Sequence, residues 1–459
     1  MKRIMSRSFI VFLVAILFFS GVCILGFRLV TQSNDWAQQP YNGHMNSANG
    51  LANAGQIVDR NGERLAYTNE KKERVYHEDK DTRCALMHVV GDNSLNISTA
   101  IQSMYRSDLT GYSLILGLGI PQSMRASSDV QLTVDAKASK AAYNAFNGRK
   151  GACVVYNYKT GEVLVDVSTP TYDPQNPPVI TDKNAKQYDG VYLDNVISST
   201  YTPGSIFKVV TAAAAIENIP DIYTRTFHCS GAYDIDGAKI TCEYAHGDCD
   251  FETAVAHSCN IACAQMAVEV GEDKMTQTAT AMGFNKQFEV NGIKLAQSKY
   301  SLENALGNNQ LGWSGIGQFE DLSNPMHMAI MCGAIANEGA PVAPYLFVEN
   351  SFLESIGISS TKAIDPMLSA DTANKVKDVM RATANYYYNA RGLNFGSLDF
   401  CAKTGTAEVE GKDPNAWIIG FTEDDAHPYA FAVVVEEGGY GIDAAAPVAQ
   451  AAINSLINN

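Results

Sequence analysis

The sequence predicts an α+β protein. An antiparallel sheet with a helical subdomain stands behind a small N-terminal module and one membrane-crossing helix. Three observations carry this reading. A long uncharged run lies near the N-terminus, strand patterns bracket an extended helical stretch, and a helix closes the chain after the last strands. The order strands, helices, strands, helix implies a sheet assembled from both ends of one domain, with the helical part inserted between them.

The elements follow in chain order. Phe9 to Phe27 carries no formal charge and is preceded by Lys2, Arg3 and Arg7. At helical rise it reaches about 28 Å, close to the hydrocarbon thickness, and the basic flank predicts that its N-terminal end stays in the cytoplasm. A cleaved signal peptide would end in a small-x-small site, which Gly26-Phe27-Arg28-Leu29 does not provide. Ser20 and Val22 do not give Cys23 a lipoprotein context either. The expectation is a cytoplasmic tail at 1–8, a transmembrane anchor at 9–29 and a polar tether at 30–54, with the rest of the chain outside the cell membrane. Net charge is −15, although the first 34 residues hold four bases and no acid. The remainder is thus strongly acidic and repels phosphate backbones, which excludes nucleic acid as a main partner.

Gln56 to Ala66 reads as strand, Asn61-Gly62 turn, strand, and opens a mixed module spanning 55–147. Val130 to Asp135 alternates as a strand does, and Ala136 to Phe146 is rich in good helix formers. The main domain, 148–459, starts with a hairpin of Ala152–Tyr156 and Glu162–Val167 around an Asn157–Gly161 turn. Helical patterns then dominate to about residue 390. Strands return between Asp399 and Glu436, and Ala445 to Ile457 is a closing helix.

The chemistry begins at Thr202-Pro203-Gly204-Ser205-Ile206-Phe207-Lys208, ahead of an Ala-rich helix. Spacing of i, i+3 puts the Lys208 amine within reach of the Ser205 hydroxyl. A hydroxyl nucleophile needs such a base, and the amine must be held neutral by burial and nearby positive charge. The N–H groups of the helix start also point to where an oxyanion would form. Ser258-Cys259-Asn260 precedes a helix at Ile261 to Val270, and Lys403-Thr404-Gly405 opens a strand. Each pattern has decoys: Ser359 to Lys362, Ser47-Ala48-Asn49, Ser94-Leu95-Asn96 and Lys159-Thr160-Gly161. Only Ser205, Ser258 and Lys403 give the order Ser-x-x-Lys, Ser-x-Asn, Lys-Thr-Gly in matching contexts.

With these residues the sequence resembles the class B penicillin-binding proteins, which have a transpeptidase domain and no glycosyltransferase domain. The resemblance extends to Gly55–Ala66, to Lys159–Leu164 followed by Pro170-Thr171-Tyr172-Asp173-Pro174, and to Ile316-Gly317-Gln318 with Pro325–Ala329. Two positions depart from the family pattern. Thr202 stands where an acid is common, and Phe319 where glycine is usual.

The resemblance implies a serine transpeptidase/β-lactamase-like fold and a peptidoglycan D,D-transpeptidase that β-lactams acylate. Ser205 attacks a D-Ala-D-Ala stem peptide, Lys208 takes its proton, and Ser258 relays a proton to the departing D-Ala. Asn260 positions Lys208 and the peptide amide. Lys403 supplies positive charge, Thr404 and Thr406 bind the substrate carboxylate beside Gly405, and the N–H groups of Ser205 and Thr406 form the oxyanion hole. No cofactor is implied for catalysis. A polytopic SEDS-family glycan polymerase is the implied partner. Two rivals share the features: a β-lactamase or β-lactam sensor, and a non-catalytic cell-wall scaffold. A class A hydrolase would need Glu-x-x-Leu-Asn, and Glu303-Asn304-Ala305-Leu306 is followed by Gly307.

Five of the ten cysteines lie between Cys229 and Cys263. Cys229, Cys242, His246 and Cys249 offer four soft or borderline ligands in a turn-rich segment, a composition that suits a closed structural zinc site. A Cys229–Cys242 disulfide and free thiols stay open as alternatives. Cys259 and Cys263 share a helix face beside Ser258 and read as packing residues.

Overall fold

The computed structural model describes residues 2–37, 51, 54–111, 128–347, 364–388 and 391–458. Most of the expected tether lies outside them, as do the decoys at Ser47–Asn49 and Ser359–Lys362. Helix α1 runs over Lys2–Ala37 and contains Phe9–Leu29, a span long and apolar enough to cross a membrane. Within that span Leu17 and Phe27 are each 71% exposed.

The Asn61-Gly62 hairpin forms as the sequence predicts, with strands Ile57–Val58 and Arg64–Thr68. Arg74–Tyr76 and Val130–Gln131 complete a small sheet. The strand expected over Val130 to Asp135 is only two residues long in this sheet. The Asp59 carboxylate folds back on the N–H groups of Asn61 and Glu63 at 2.8 Å each, and Asn61 Nδ2 reaches Asp135 at 3.0 Å. Asp135 in turn caps helix α2, Ala136–Phe146, by accepting from the Ala138 N–H, and Asn147 ends it in a left-handed conformation. The small sheet is thereby fastened to the start of α2.

The central sheet has five antiparallel strands: β1 Gly151–Asn157, β2 Val163–Thr169, β3 Phe400–Val409, β4 Lys412–Thr422 and β5 Tyr429–Val435. Their order is β3-β4-β5-β1-β2. The two ends of the domain meet where β5 pairs with β1, Val433 opposite Cys153. Period-two alternation gives each face its own core. Val154, Tyr156, Ala432, Val434, Trp417 and Ile419 pack on one side, Cys153, Val155, Phe431, Val433 and Ile418 on the other.

The inserted part carries helices α3 Lys208–Asn218, α4 Phe251–Ala256, α5 Asn260–Val270, α6 Pro325–Ala336 and α7 Ala370–Thr383. Helix α6 lies against the sheet, and the closing helix α8, Ala446–Ile457, packs with α2 on the opposite face. Short β ladders interrupt the stretch expected to be helical: Phe227–Cys229 with Gly247–Cys249, Ala232–Ile235 with Ala238–Thr241, and Glu289–Val290 with Ile293–Lys294.

Candidate active site

Ser205 lies in a 3-10 turn, Gly204–Phe207, that leads directly into α3, so the expected helix start is present in a tighter form. Gly204 makes this possible: its φ is +56°, and a Cβ there would stand 2.7 Å from the Thr406 carbonyl. The turn is held by the Trp417 indole N–H donating to the Thr202 carbonyl at 3.0 Å and by the Gly204 N–H donating to Gly317 at 2.8 Å. Phe319 takes φ +68° and is part-exposed. Glycine adopts that conformation without strain, so the departure from the family pattern places a bulky side chain on a left-handed backbone.

Lys208 is fully buried. Its Nζ donates to the Ser258 carbonyl at 2.6 Å, to Ser258 Oγ at 3.0 Å and to Asn260 Oδ1 at 2.6 Å. Its partners are therefore the Ser-x-Asn residues, and among the described residues no hydrogen bond joins it to the Ser205 hydroxyl. A neutral amine keeps two N–H bonds, matching the Ser258 carbonyl and Asn260, and leaves a lone pair to accept a proton. Lys403 sits in the middle of β3, not at its start. Its Nζ donates to Ser258 Oγ and to the Thr404 carbonyl at 3.0 and 2.9 Å. Burial lowers the Lys208 pKa from the ordinary lysine value. Lys403 is pushed down to about 7, first by burial and then by repulsion from Lys208. One hydroxyl thus sits between two amines whose charged forms are disfavoured.

Ser258 reaches this position through a helix ending. The Cys259 N–H donates to the Ala254 carbonyl at 2.8 Å and the Ser258 N–H to Val255 at 3.0 Å. These are the two bonds of a Schellman cap, with Ser258 at its left-handed position, φ +58°. Glycine is the usual occupant, so no local pattern announces a helix end here. Asn260 starts α5, and its Nδ2 donates to the Thr241 carbonyl at 2.7 Å.

Strand β3 lies against the Ser205 turn. A Cβ on Gly405 would meet the Pro203 carbonyl at 2.9 Å, so only glycine permits this approach. Tyr388 is a residue the sequence reading missed. Its hydroxyl accepts from the Thr404 N–H at 2.7 Å and shares a hydrogen bond with Thr404 Oγ1 at 2.8 Å, fixing the strand where it borders the site. Nothing in the local Tyr-rich run announces that contact. The decoy Lys159 lies elsewhere, in the β1–β2 turn with its Nζ on Asn337 Oδ1. Glu303 is exposed and hydrogen-bonds neither Ser205 nor Lys208.

The profile of the penicillin binding protein transpeptidase domain matches residues 151–454, all five strands of the central sheet included. The chain is a class B penicillin-binding protein. It is 30% identical over 363 residues to the peptidoglycan D,D-transpeptidase PbpA of Mycolicibacterium smegmatis, covering 72% of each chain. Its fold is similar to penicillin-binding protein A from M. tuberculosis, solved as an imipenem acyl-enzyme complex, with TM-score 0.75, 26% identity and coverage of 90% of this chain and 100% of that one. The D,D-transpeptidase domain of a peptidoglycan glycosyltransferase from Eggerthella lenta is also similar, with TM-score 0.72 and 26% identity over 88% and 98% of the two chains.

The cysteine cluster differs from the set predicted. Ligand atoms of Cys229, Cys242, His246 and Cys259 all lie within 4.8 Å of one another. Cys259 stands in the place expected for Cys249. The Cys249 Sγ is instead 3.6 Å from the Phe227 carbonyl, on the ladder in which Cys249 is paired with Phe227 and Cys229 with Gly247. Along the paired strand Cys249 is set two residues, about 7 Å, from the position opposite Cys229, and its sulfur is not one of the four ligand atoms that converge. All ten cysteines are free thiols, so no Cys229–Cys242 disulfide is present.

Proposed function

We propose that this serine-type peptidoglycan D,D-transpeptidase works through Ser205 as nucleophile, with Lys208, Ser258, Asn260 and Lys403 as its proton-handling set. The observation that carries the assignment is the Ser258 hydroxyl held 3.0 Å from both Lys208 Nζ and Lys403 Nζ. In the first half-reaction the Ser205 oxygen bonds to the carbonyl carbon of the penultimate D-Ala of a stem peptide. Its proton passes to neutral Lys208. The peptide C–N bond then breaks, and the terminal D-Ala leaves with a proton relayed through Ser258. In the second, the amine of another stem peptide attacks the acyl-enzyme, gives up its proton to the same relay and forms the cross-link, returning Ser205. The Ser205 and Thr406 N–H groups hold the oxyanion, while Thr404 and Thr406 bind the substrate carboxylate beside Gly405.

β-Lactams acylate the same serine, since their strained amide takes the place of the peptide bond and no amine product leaves. Side chains supply all of this chemistry, and the zinc in this reading is structural, held by the cysteine–histidine cluster. The remaining assignments complete the proposal: residues 1–8 cytoplasmic, 9–29 as anchor, 55–147 as a pedestal module, 148–459 as the extracytoplasmic catalytic domain, and a SEDS-family glycan polymerase as partner. The basic flank of α1 supports the orientation.

Intact-mass measurement on the full chain tests the centre of it. Wild type gains one penicillin mass per chain, Ser205→Ala gains none while its circular dichroism is unchanged, and Lys208→Ala gains it far more slowly. Labelling of Ser205→Ala would overturn the nucleophile, and an unchanged rate for Lys208→Ala would overturn the base.

A further inference from the structure

We infer that Cys229, Cys242, His246 and Cys259 bind one zinc ion, and that this ion clamps the loop carrying Ser258 and Asn260, so that metal occupancy sets the rate at which Ser205 is acylated. The metal site stands on its own geometry. The coupling rests on the roles proposed for Ser258 and Asn260.

The four ligand atoms lie within 4.8 Å of one another, and two of their spacings are those of a zinc tetrahedron. Around zinc with Zn–S bonds near 2.3 Å, neighbouring thiolate sulfurs lie about 3.8 Å apart, and a thiolate and an imidazole nitrogen somewhat closer. Cys242 Sγ and Cys259 Sγ are 3.8 Å apart, and Cys229 Sγ is 3.3 Å from His246 Nδ1. The imidazole is already oriented for ligation. Its Nε2 lies 3.2 Å from the His257 carbonyl, so that nitrogen carries the proton and donates, leaving the Nδ1 lone pair toward the sulfurs. Cys229 and Cys259 are buried, Cys242 and His246 half-buried. Four protein ligands close the coordination sphere and leave no position for a reacting water, which makes the site structural.

The segments that supply these ligands are short and bear many exposed residues. Cys229 ends a three-residue strand, Cys242 follows a mostly exposed hairpin of two four-residue strands, and His246 precedes another three-residue strand. Short ladders with few buried side chains gain from a cross-link that binding energy provides.

The cluster also touches the catalytic loop at successive residues. Cys259 is the middle residue of Ser258-Cys259-Asn260. Cys242 Sγ accepts from the Asn260 N–H at 3.1 Å, and Thr241, next to Cys242, accepts from Asn260 Nδ2. His246 holds the carbonyl of His257, the residue before Ser258. A metal joining Cys242, His246 and Cys259 therefore fixes the backbone on both sides of Ser258, and Ser258 and Asn260 fix the Lys208 amine. Cys259 and Cys242 are positioning residues, since neither touches the reacting atoms.

The test uses the full chain purified in detergent under reducing conditions, with zinc by elemental analysis and acylation by a fluorescent penicillin. Wild type and Cys249→Ser are expected to hold one zinc per chain, and Cys242→Ser and Cys259→Ser to lose it. A chelator applied to wild type should slow acylation on the order of a hundredfold, as misplaced catalytic groups do, and added zinc should restore it. Because a cysteine variant can fail to fold, cobalt(II) substitution of wild type is a second readout, with thiolate-to-cobalt charge transfer and tetrahedral ligand-field bands expected. Ser258→Ala should keep its zinc while acylating slowly, which separates the clamp from the chemistry. Zinc-free wild type that acylates at full rate would overturn the inference, as would loss of zinc from Cys249→Ser with retention in Cys259→Ser. Zinc that is bound but can be removed without slowing acylation would overturn the coupling. Failure of wild type to take up penicillin at all would instead sink the transpeptidase roles, whatever the metal result.

Discussion

Ser258→Gly should give a protein more stable than Ser258→Ala and no more active. Both substitutions remove Oγ and its hydrogen bonds to Lys208 and Lys403, so that loss cancels when the two variants are compared. They differ in the Cβ. Ser258 has φ +58° at the left-handed position of the cap that ends α4. A Cβ in that conformation costs about 1–2 kcal/mol. Glycine recovers this but gives back about 0.4–1 kcal/mol through its freer unfolded state. The net expectation is about 1 kcal/mol in favour of glycine, a Tm difference on the order of 2 °C for a domain of this size. The assay is thermal unfolding of both full-length variants by circular dichroism in one detergent and buffer, alongside acylation by a fluorescent penicillin, which should be slow in both. If Ser258→Ala proves as stable as Ser258→Gly, the left-handed conformation stores no strain there. The hydroxyl would then not be what keeps a side chain at a position suited to glycine.

Two further outcomes follow from buried charge. Lys208 and Lys403 are both depressed, Lys403 to about 7, and repulsion between two ammonium groups is mutual. The acylation rate should therefore rise with pH as the base loses its proton. Lys403→Gln, though slower overall, should show that rise at higher pH, because Lys208 no longer has a repelling neighbour; a limb that stays put or moves to lower pH refutes the coupling. Asp166 in β2 is fully buried beside Asp194, neither of its oxygens is paired outside that carboxyl pair, and burial raises its pKa well above the carboxylate range. Such a group contributes its full stability below the unfolded pKa of about 4 and loses it as pH rises toward the folded value. Asp166→Asn removes that dependence, so its Tm should fall less than that of wild type between pH 5 and 8, and parallel Tm curves would refute a protonated Asp166.

Much of this protein is legible from local pattern. The apolar run of α1, the Asn61-Gly62 hairpin, the β1–β2 hairpin, the capped helix α2 and the closing strands all follow from periodicities and turn residues that neighbours in sequence determine. The order of Ser205, Ser258 and Lys403 separates the motif set from its decoys for the same reason, since each member is set by its immediate context. What the tertiary structure decided involves partners far apart in the chain. The order β3-β4-β5-β1-β2 depends on a pairing of Val433 with Cys153 that no window of sequence contains. Tyr388 meets Thr404 only after α7 and β3 have packed. Lys208 turns to Ser258 and Asn260, fifty residues on, because burial leaves its amine in need of acceptors and those are the ones within reach. Cys249 and Cys259 are equally good sulfur donors by composition. A strand register carries Cys249 about 7 Å along the ladder, while the cap on α4 turns Cys259 in toward Cys242, so the choice of donor belongs to backbone geometry and not to residue type.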